Sequence, residues 1–382
     1  MKKFLNYALS LFLCFSMLLL VACQDKEKNA EKISKNSSET QTEEKSAETD
    51  EKAEASDNAK EDKKEEQLKE TDKEIKNEEK KLKKITVILD YVVNTNHSGL
   101  YLAKERGYYA DAGLDVEIIE PQESTSLQVL AAKKADFAIS YQEDLTYALA
   151  QEEPLPLKAI ATIIQNNTSG FASLAEKKIE STKDFEGLTY AGWGSPAETA
   201  IIQAAMKNAG LDPEKMEFVT AMDTSYASLK GDIDLMWFFE AWDMIAAKME
   251  GLDLNYIPCR DIDERLNYYT PIIVARDEML ENDPELVKSF LQATQKAYEE
   301  ACVQENIDEI VEIMKKYAPG VDEELLSKSQ AYLAEEYMKG SERWGFMQDK
   351  VWTGYAEFMK EYELIDEVLE PSAYYTNEFL EK

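Results

Sequence analysis

Histidine, arginine and cysteine are scarce in this chain of 382 residues, and each scarcity removes a class of function. A single histidine excludes a metal site built from several imidazoles, and four cysteines are too few for a disulfide-rich scaffold. Lysine and arginine together number 43 against 76 acidic residues, which leaves a net charge of −33. Nucleic-acid binding needs a basic surface that displaces counterions, so this imbalance excludes it and also disfavours a polyanionic substrate.

The first 23 residues are predicted to be a lipoprotein signal peptide. A basic start, Met1–Lys3, precedes an apolar run of residues 4–22 that closes on Leu20-Val21-Ala22-Cys23. This is the layout of a secretory signal, and its end resembles the lipobox of bacterial lipoproteins, in which Cys23 receives a diacylglyceryl group. Two acyl chains anchor a protein stably without a spanning helix. An uncleaved membrane anchor is the alternative, because the run is close to the minimum length for a span.

Residues 24–84 are predicted to form a disordered, charged tether. They contain 16 lysines and 20 acidic residues but no aromatic residue, glycine, proline or cysteine. Such a segment buries too little apolar surface to offset the entropy of ordering it. The segment would hold the folded part of the chain away from a membrane surface.

The remaining residues, 85–382, read as an α/β domain with two related units. Each unit is an apolar run of strand length, a polar loop, a helical pattern and a second strand, and both helices end on Ala-Gly-Leu-Asp, at residues 112–115 and 209–212. The first unit spans residues 85–119, and the second spans residues 188–220. Further strands are predicted at residues 135–140, 158–164, 233–238 and 271–274, and the chain is mainly helical after Pro284. The repetition indicates two α/β lobes of related design.

Four loops that follow predicted strands are expected to line one cleft. They are residues 90–97, 140–143, 192–198 and 237–242, and ligands of open parallel sheets bind beyond the carboxyl ends of the strands. None of the five arginines, residues 106, 260, 265, 276 and 343, lies on these loops. A phosphate or sulfonate site normally uses such side chains, so the expected ligand is neutral or cationic.

The segment Gly192-Trp193-Gly194-Ser195-Pro196-Ala197 fits the Gly-x-Gly-x-x-Ala dinucleotide fingerprint. A secreted α/β enzyme that uses this loop for a nucleotide is therefore one alternative. Ser195 and Glu198 also fit a capping box with proline at the first helical position, which explains the same residues structurally. Glu198 thus has two interpretations, as a cap partner or as an acceptor for an amino group in the cleft.

The run of residues 237–242 places four aromatic residues and Glu240 within six positions. Phe238 and Phe239 suit a hydrophobic core, whereas a buried, unpaired Glu240 would be costly. Trp237 and Glu240 instead suit a cleft that stacks a flat heterocycle and accepts hydrogen bonds from its N–H groups. Tyr91, Tyr141 and Trp193 add further aromatic rings for stacking.

No catalytic motif accompanies His97, which lies where Asn, Thr and Ser would cap a helix. The chain contains no Gly-x-Ser-x-Gly, His-Glu-x-x-His, P-loop or Cys-x-x-Cys motif. Cys259 and Cys302 are the thiols of the body, and whether they pair is left open. The protein is therefore expected to be a non-enzyme without a metal or cofactor.

Several segments resemble the pyrimidine-precursor binding proteins of the NMT1/THI5-like family, most closely the formylaminopyrimidine-binding lipoproteins of thiamine-salvage ABC transporters. The segments are Asn94-Thr95-Asn96-His97-Ser98-Gly99-Leu100-Tyr101, Ile139-Ser140-Tyr141-Gln142-Glu143, residues 167–174, Gly192-Trp193-Gly194-Ser195-Pro196, Arg343-Trp344-Gly345 and residues 375–380. The resemblance implies a type II periplasmic-binding-protein fold, with a mixed sheet in each lobe and the ligand cleft between lobes. Residues 85–175 and 271–382 would form the first lobe and residues 176–270 the second.

The same resemblance implies an aminopyrimidine ligand and delivery to an ABC permease driven by a cytoplasmic ATPase. The protein would act as a monomer on the extracellular face of the bacterial membrane. Candidate ligand-binding residues at matching or neighbouring positions are Asp90, Tyr91, Asn96, His97, Tyr141, Glu143, Asn166, Trp193, Gly194, Ser195, Glu198, Trp237 and Glu240.

The chain departs from the family pattern at three of these positions. Tyr91-Val92-Val93 replaces a Trp-x-Pro, Asn166 replaces a histidine, and Glu240 stands where the family has tyrosine or a small residue. These changes could adapt the site to another aromatic nitrogen heterocycle, such as a riboflavin-like ring. The wider family includes fungal hydroxymethylpyrimidine synthases, but their cysteine-rich cluster is absent around Cys259.

Overall fold

A computed structural model describes residues 82–122, 124–220 and 226–381. The predicted signal peptide, Cys23 and the tether up to residue 81 lie outside these residues. Lys83 and Lys84, which the sequence assigned to the tether, instead begin the first strand, because their backbone pairs with a neighbouring strand. No helix in the described part of the chain is long and apolar enough to cross a membrane.

The described residues contain ten strands, which form two five-stranded sheets. In chain order they are β1 Lys83–Ile88, β2 Leu114–Ile119, β3 Phe137–Ser140, β4 Leu157–Thr162, β5 Ser169–Leu174, β6 Thr189–Gly192, β7 Glu217–Thr220, β8 Leu235–Phe239, β9 Leu254–Pro258 and β10 Ile272–Arg276. The first sheet has the order β2-β1-β3-β10-β4, and the second has the order β7-β6-β8-β5-β9. The two sheets therefore share one topology.

The principal helices flank these sheets. They are Ser98–Glu105, Tyr108–Asp111, Ser126–Ala131, Gln142–Leu149, Pro196–Asn208, Ile245–Met249, Cys259–Ile262, Asp277–Asn282, Pro284–Ala301, Ile307–Tyr317, Glu323–Glu336, Asp349–Glu361 and Pro371–Tyr374. The predicted helical C-terminal part after Pro284 is confirmed. A π-helical turn, Glu240–Met244, follows β8.

The two predicted strand–helix–strand units are present, one in each sheet. β1 pairs with β2 in parallel, and β6 pairs with β7 in the same way. Each unit lies at one edge of its sheet, so the loops after β1 and β6 occupy equivalent positions.

The chain passes between the sheets twice, and each passage supplies an antiparallel strand. β5 pairs antiparallel with β8 and β9, and β10 pairs antiparallel with β3 and β4. Residues 163–168 form the first crossover and residues 259–271 the second. The sequence placed residues 169–174 in the first lobe, whereas β5 belongs to the second sheet. Its Ser-Gly-Phe-Ala-Ser-Leu sequence has no β-branched residue, and Gly170 admits the backbone of β9 where a side chain would overlap it.

The hydrophobic core of the first lobe lies between its sheet and the long helix Pro284–Ala301. Phe290 on that helix stacks on Phe137 of β3, with ring centroids 4.0 Å apart, and both side chains are fully buried. This packing follows from the helix, whose apolar residues fall on one face. It packs the helix against the first sheet.

Candidate functional site

A cleft of about 1200 Å³ lies at the ends of strands from both sheets. All four predicted loops contribute to its lining, and the two crossovers add Thr168 and Thr270. The predicted site residues that line it are Asp90, Tyr91, Asn96, Tyr141, Glu143, Trp193, Ser195, Glu198 and Trp237. The structure does not place His97, Asn166, Gly194 or Glu240 in that lining.

His97 supports Asp90 from behind the cleft. Its side chain is fully buried, with Nε2 2.7 Å from Oδ1 of Asp90, and Nδ1 accepts the backbone N–H of Asn94 at 3.2 Å. A ring that accepts at Nδ1 carries its proton at Nε2 and donates it to the carboxylate. His97 is therefore a positioning residue for Asp90, and the prediction that it binds the ligand directly does not fit this geometry.

Asn166 joins the two crossovers. Its Oδ1 accepts from Nδ2 of Asn267 at 2.9 Å, and its own Nδ2 donates to the carbonyl of Lys339 at 3.2 Å. Gly194 adopts a positive φ of 81°, which lets the loop turn after Trp193. Both residues shape the backbone around the cleft from outside its lining.

Glu240 is held in an ion pair and a hydrogen bond. Its Oε1 lies 2.8 Å from the guanidinium of Arg260 in the second crossover, and its Oε2 accepts from the hydroxyl of Tyr332. Tyr332 belongs to the helix Glu323–Glu336 of the first lobe. Glu240 has hydrogen-bonding partners, as predicted, but they are protein side chains and not a ligand. The network positions the π-helical turn whose next residues, Ala241, Trp242 and Asp243, do line the cleft.

The glycine loop after β6 binds the carboxylate of Glu198. Oε1 of Glu198 accepts from the hydroxyl of Tyr190 at 2.5 Å and from the N–H of Trp193 at 3.2 Å, and Oε2 accepts from the N–H of Ser195 at 2.8 Å. Ser195 completes the capping box by accepting the N–H of Glu198. The loop amides that a nucleotide phosphate would need are thus occupied by a carboxylate. This geometry favours the capping interpretation and disfavours a dinucleotide site.

The titratable groups of the cleft lining are acidic. Among the described residues, no lysine, arginine or histidine lines the cleft. Six carboxyl side chains line it: Asp90, Glu143, Asp144, Glu153, Glu198 and Asp243. Burial and the neighbouring charge of Asp144 raise the pKa of Glu143 to about 8. Burial raises the pKa of Asp243 to about 6, although the N–H of Phe239 donates to its carboxylate. The ionised carboxylates among these groups would repel an anionic solute.

Two buried polar atoms of the lining have no partner within the protein. They are Oε2 of Glu143, an acceptor when ionised, and Nε1 of Trp237, a donor. Trp237 is only 7% exposed. Buried polar groups are almost always paired, so these two atoms remain available for hydrogen bonds with a bound solute.

Aromatic rings supply the apolar part of the lining. Trp193 packs edge-on against Trp237 with centroids 5.4 Å apart, and Trp237 packs edge-on against Phe171 at 5.2 Å. Trp193 and Tyr91 remain 48% and 62% exposed at the cleft. Exposed rings beside a fixed aromatic cluster are suited to stacking on a flat ligand.

Sequence reasoning missed several lining residues. They are Asp144, Tyr147, Asp243, Tyr268, Met359 and Leu364, among others. Asp144 directly follows the predicted Glu143, and Asp243 directly follows the predicted loop of residues 237–242, so their neighbourhood was a usable signal. Met359 and Leu364 come from the C-terminal helical part and carry no local signal of a site.

The thiols of the described chain are free. Cys259 is buried, Cys302 is partly buried, and neither forms a disulfide. Residues 82–122, 124–220 and 226–381 contain no group of three or more His, Cys, Asp or Glu side chains placed to hold a metal ion.

The two sheets have the same topology, and each contains an antiparallel strand that follows a crossover. Together with a cleft at the strand ends, these features define a periplasmic-binding-protein fold. The periplasmic aliphatic sulphonate binding protein SsuA from Escherichia coli superposes with a TM-score of 0.59 at 13% identity, over 76% of this chain and 91% of that one. The predicted fold class is thereby confirmed.

The chain belongs to the NMT1/THI5 like family, whose model matches residues 94–305. The formylaminopyrimidine-binding protein of Halalkalibacterium halodurans is 29% identical over 238 residues, 61% of this chain and 70% of that protein. The riboflavin-binding protein RibY of Chloroflexus aurantiacus is 21% identical, covering 78% and 86% of the two chains. The 4-amino-5-hydroxymethyl-2-methylpyrimidine phosphate synthase of Legionella pneumophila is 24% identical, covering 78% and 92%.

Proposed function

We propose that this protein is the solute-binding component of an ABC importer and that it captures an aminopyrimidine precursor of thiamine. One observation carries the proposal: the cleft combines stacking rings with six carboxyl groups and no cationic side chain among its described lining residues. A neutral or weakly basic ring with amino groups suits both features, because its face stacks and its N–H groups donate to carboxyl oxygens. The likeness to the formylaminopyrimidine-binding protein supports this ligand class.

The two crossovers suit a binding protein that closes on its ligand. Residues 163–168 and 259–271 are the segments through which the backbone passes from one sheet to the other. A few residues of this kind absorb the rotation when two lobes close by a hinge motion. Closure would remove the ligand from water and strengthen its hydrogen bonds.

Membrane attachment through Cys23 and delivery to a permease complete the proposed function. Their support comes from the Leu-Val-Ala-Cys sequence at residues 20–23 and from the family resemblance. The proposed location is the extracellular face of the bacterial membrane. A non-enzymatic role is supported by the free, separate thiols, since the resemblance associates synthase activity with a cysteine-rich cluster.

Calorimetric titration of the folded domain tests the ligand. Formylaminopyrimidine and hydroxymethylpyrimidine should each release heat on binding, with aliphatic sulfonates as the negative control. Absence of heat with both pyrimidines at high micromolar concentration would contradict the proposal.

A riboflavin-like ring is the second candidate. The cleft volume, about 1200 Å³, exceeds what a single substituted pyrimidine fills, and the riboflavin-binding protein RibY is a relative. Riboflavin fluorescence should be quenched on stacking against Trp193. Tight riboflavin binding without pyrimidine binding would select this candidate instead.

A further inference from the structure

Glu143 carries an unusual carboxyl group on the lining of the cleft. Its Oε2 is shielded from solvent and has no hydrogen-bond partner, and its Oε1 accepts a long bond of 3.4 Å from the hydroxyl of Tyr268. The residue stands in the first turn of the helix Gln142–Leu149, which begins directly after β3. An ionised carboxylate left in this state would lack the partners that normally stabilise a buried charge.

The groups that face Glu143 are neutral or acidic. Asp144 faces it from the same helix, Tyr141 from the end of β3, Cys259 and Tyr268 from the second crossover, and Tyr355 from the helix Asp349–Glu361. With no cation among them, burial and the charge of Asp144 raise the pKa of Glu143 to about 8. A pKa raised in this way favours the protonated carboxyl group in the ligand-free protein at neutral pH.

We propose that Glu143 binds the ligand as a neutral carboxylic acid, accepting a hydrogen bond from an exocyclic amino group and donating one to the adjacent ring nitrogen. This inference rests on the proposed function. An aminopyrimidine presents a donor and an acceptor side by side on one edge, and a carboxylic acid presents an acceptor and a donor at matching positions. The unpaired Nε1–H of Trp237 supplies a further donor to the same cleft.

The variant Glu143→Gln tests the protonation state, because a carboxamide offers the same acceptor and donor but cannot ionise. Hydroxymethylpyrimidine is titrated by calorimetry between pH 7 and pH 9.5. Wild-type affinity should fall about tenfold for each pH unit above about pH 8. Glu143→Gln should bind at pH 7 within about threefold of wild type and show a flat pH profile. Glu143→Leu, which loses both hydrogen bonds, should bind roughly 10-fold to 100-fold more weakly.

Two further variants separate the inference from its alternatives. Glu250→Gln, an exposed change of the same kind, should keep the wild-type profile. Asp144→Asn removes the nearest like charge and should move the midpoint of the profile to lower pH. A flat wild-type profile, or loss of binding in Glu143→Gln at pH 7, would overturn the inference while wild-type binding upholds the proposed function. Failure of the wild-type protein to bind at any pH would overturn both.

Discussion

The carboxylate of Glu198 occupies the space in which a side chain at residue 192 would begin. A Cβ atom built on Gly192 would overlap Oε1 of Glu198 and lie 2.5 Å from the hydroxyl of Tyr190. Residue 192 must therefore be glycine, because the Glu198 side chain leaves no room for a Cβ atom. The loop conformation that allows this contact comes from Gly194, which has a positive φ. A sequence motif typical of dinucleotide sites thus serves to seat a capping carboxylate beside the cleft.

Replacement of Gly192 by alanine should destabilise the protein. The methyl group forces the Glu198 carboxylate away from the amides of Trp193 and Ser195, and overpacking of this kind costs about 1–3 kcal/mol. Thermal unfolding followed by circular dichroism measures the change. Gly231→Ala is the matched control, because the nearest atom to its new Cβ is 3.6 Å away. Equal stability of the two variants would contradict the described packing.

Glu240→Gln should lower stability more than affinity. Glu240 does not line the cleft, and its ionised oxygens pair with Arg260 and Tyr332. Weakening a partly buried ion pair of this kind costs about 1–3 kcal/mol, whereas hydroxymethylpyrimidine affinity should change by less than about threefold. Parallel unfolding and calorimetric titration, with Glu250→Gln as the control, measure both quantities. Abolished binding at unchanged stability would instead make Glu240 a ligand contact.

The stability of the ligand-free protein should depend on pH through Glu143. Because folding raises the pKa from its ordinary value of 4.5 to about 8, the folded state binds more protons than the unfolded state between these values. Stability contributed by this group therefore falls as pH rises from 4.5 to 8 and then levels off. Glu143→Gln lacks this loss, so it should gain a few kcal/mol relative to wild type between pH 5 and pH 9.

Unfolding temperatures of both proteins at pH 5 and pH 9 measure that difference. Asp243, whose pKa is raised to about 6, contributes a similar fall at lower pH in both proteins and cancels in the comparison. A constant difference between the two proteins at both pH values would show that Glu143 titrates normally.

Cys23→Ala should release the protein from the membrane fraction or leave it with its signal uncleaved. Without the thiol no diacylglyceryl group can be attached, so the two-chain anchor is lost. Metabolic labelling with a fatty-acid analogue in a bacterial host gives the readout. Cys14→Ala, within the apolar run, is the matched control and should remain labelled. Persistent labelling of Cys23→Ala would contradict lipidation at that residue.

Local patterns were sufficient to predict much of the fold. Strand-length apolar runs, repeated Ala-Gly-Leu-Asp helix ends and the Ser195–Glu198 capping box each depend on neighbouring residues, and the two βαβ units follow from them. The crossover strand β5 escaped prediction because its small residues are selected by close contact with β9, which lies far along the chain. The sheet to which a strand belongs is a long-range property.

The sequence by itself determined the acidic, arginine-poor character of the protein, the candidate lipobox at Cys23, the α/β pattern and the aromatic loops that meet at the cleft. These features depend on composition and on short-range spacing. Only the tertiary structure decided which polar residues line the cleft. It pairs His97 with Asp90 and Glu240 with Arg260 and Tyr332, and it leaves Oε2 of Glu143 without a partner. The availability of a polar side chain depends on its neighbours in space, and those come from distant parts of the chain.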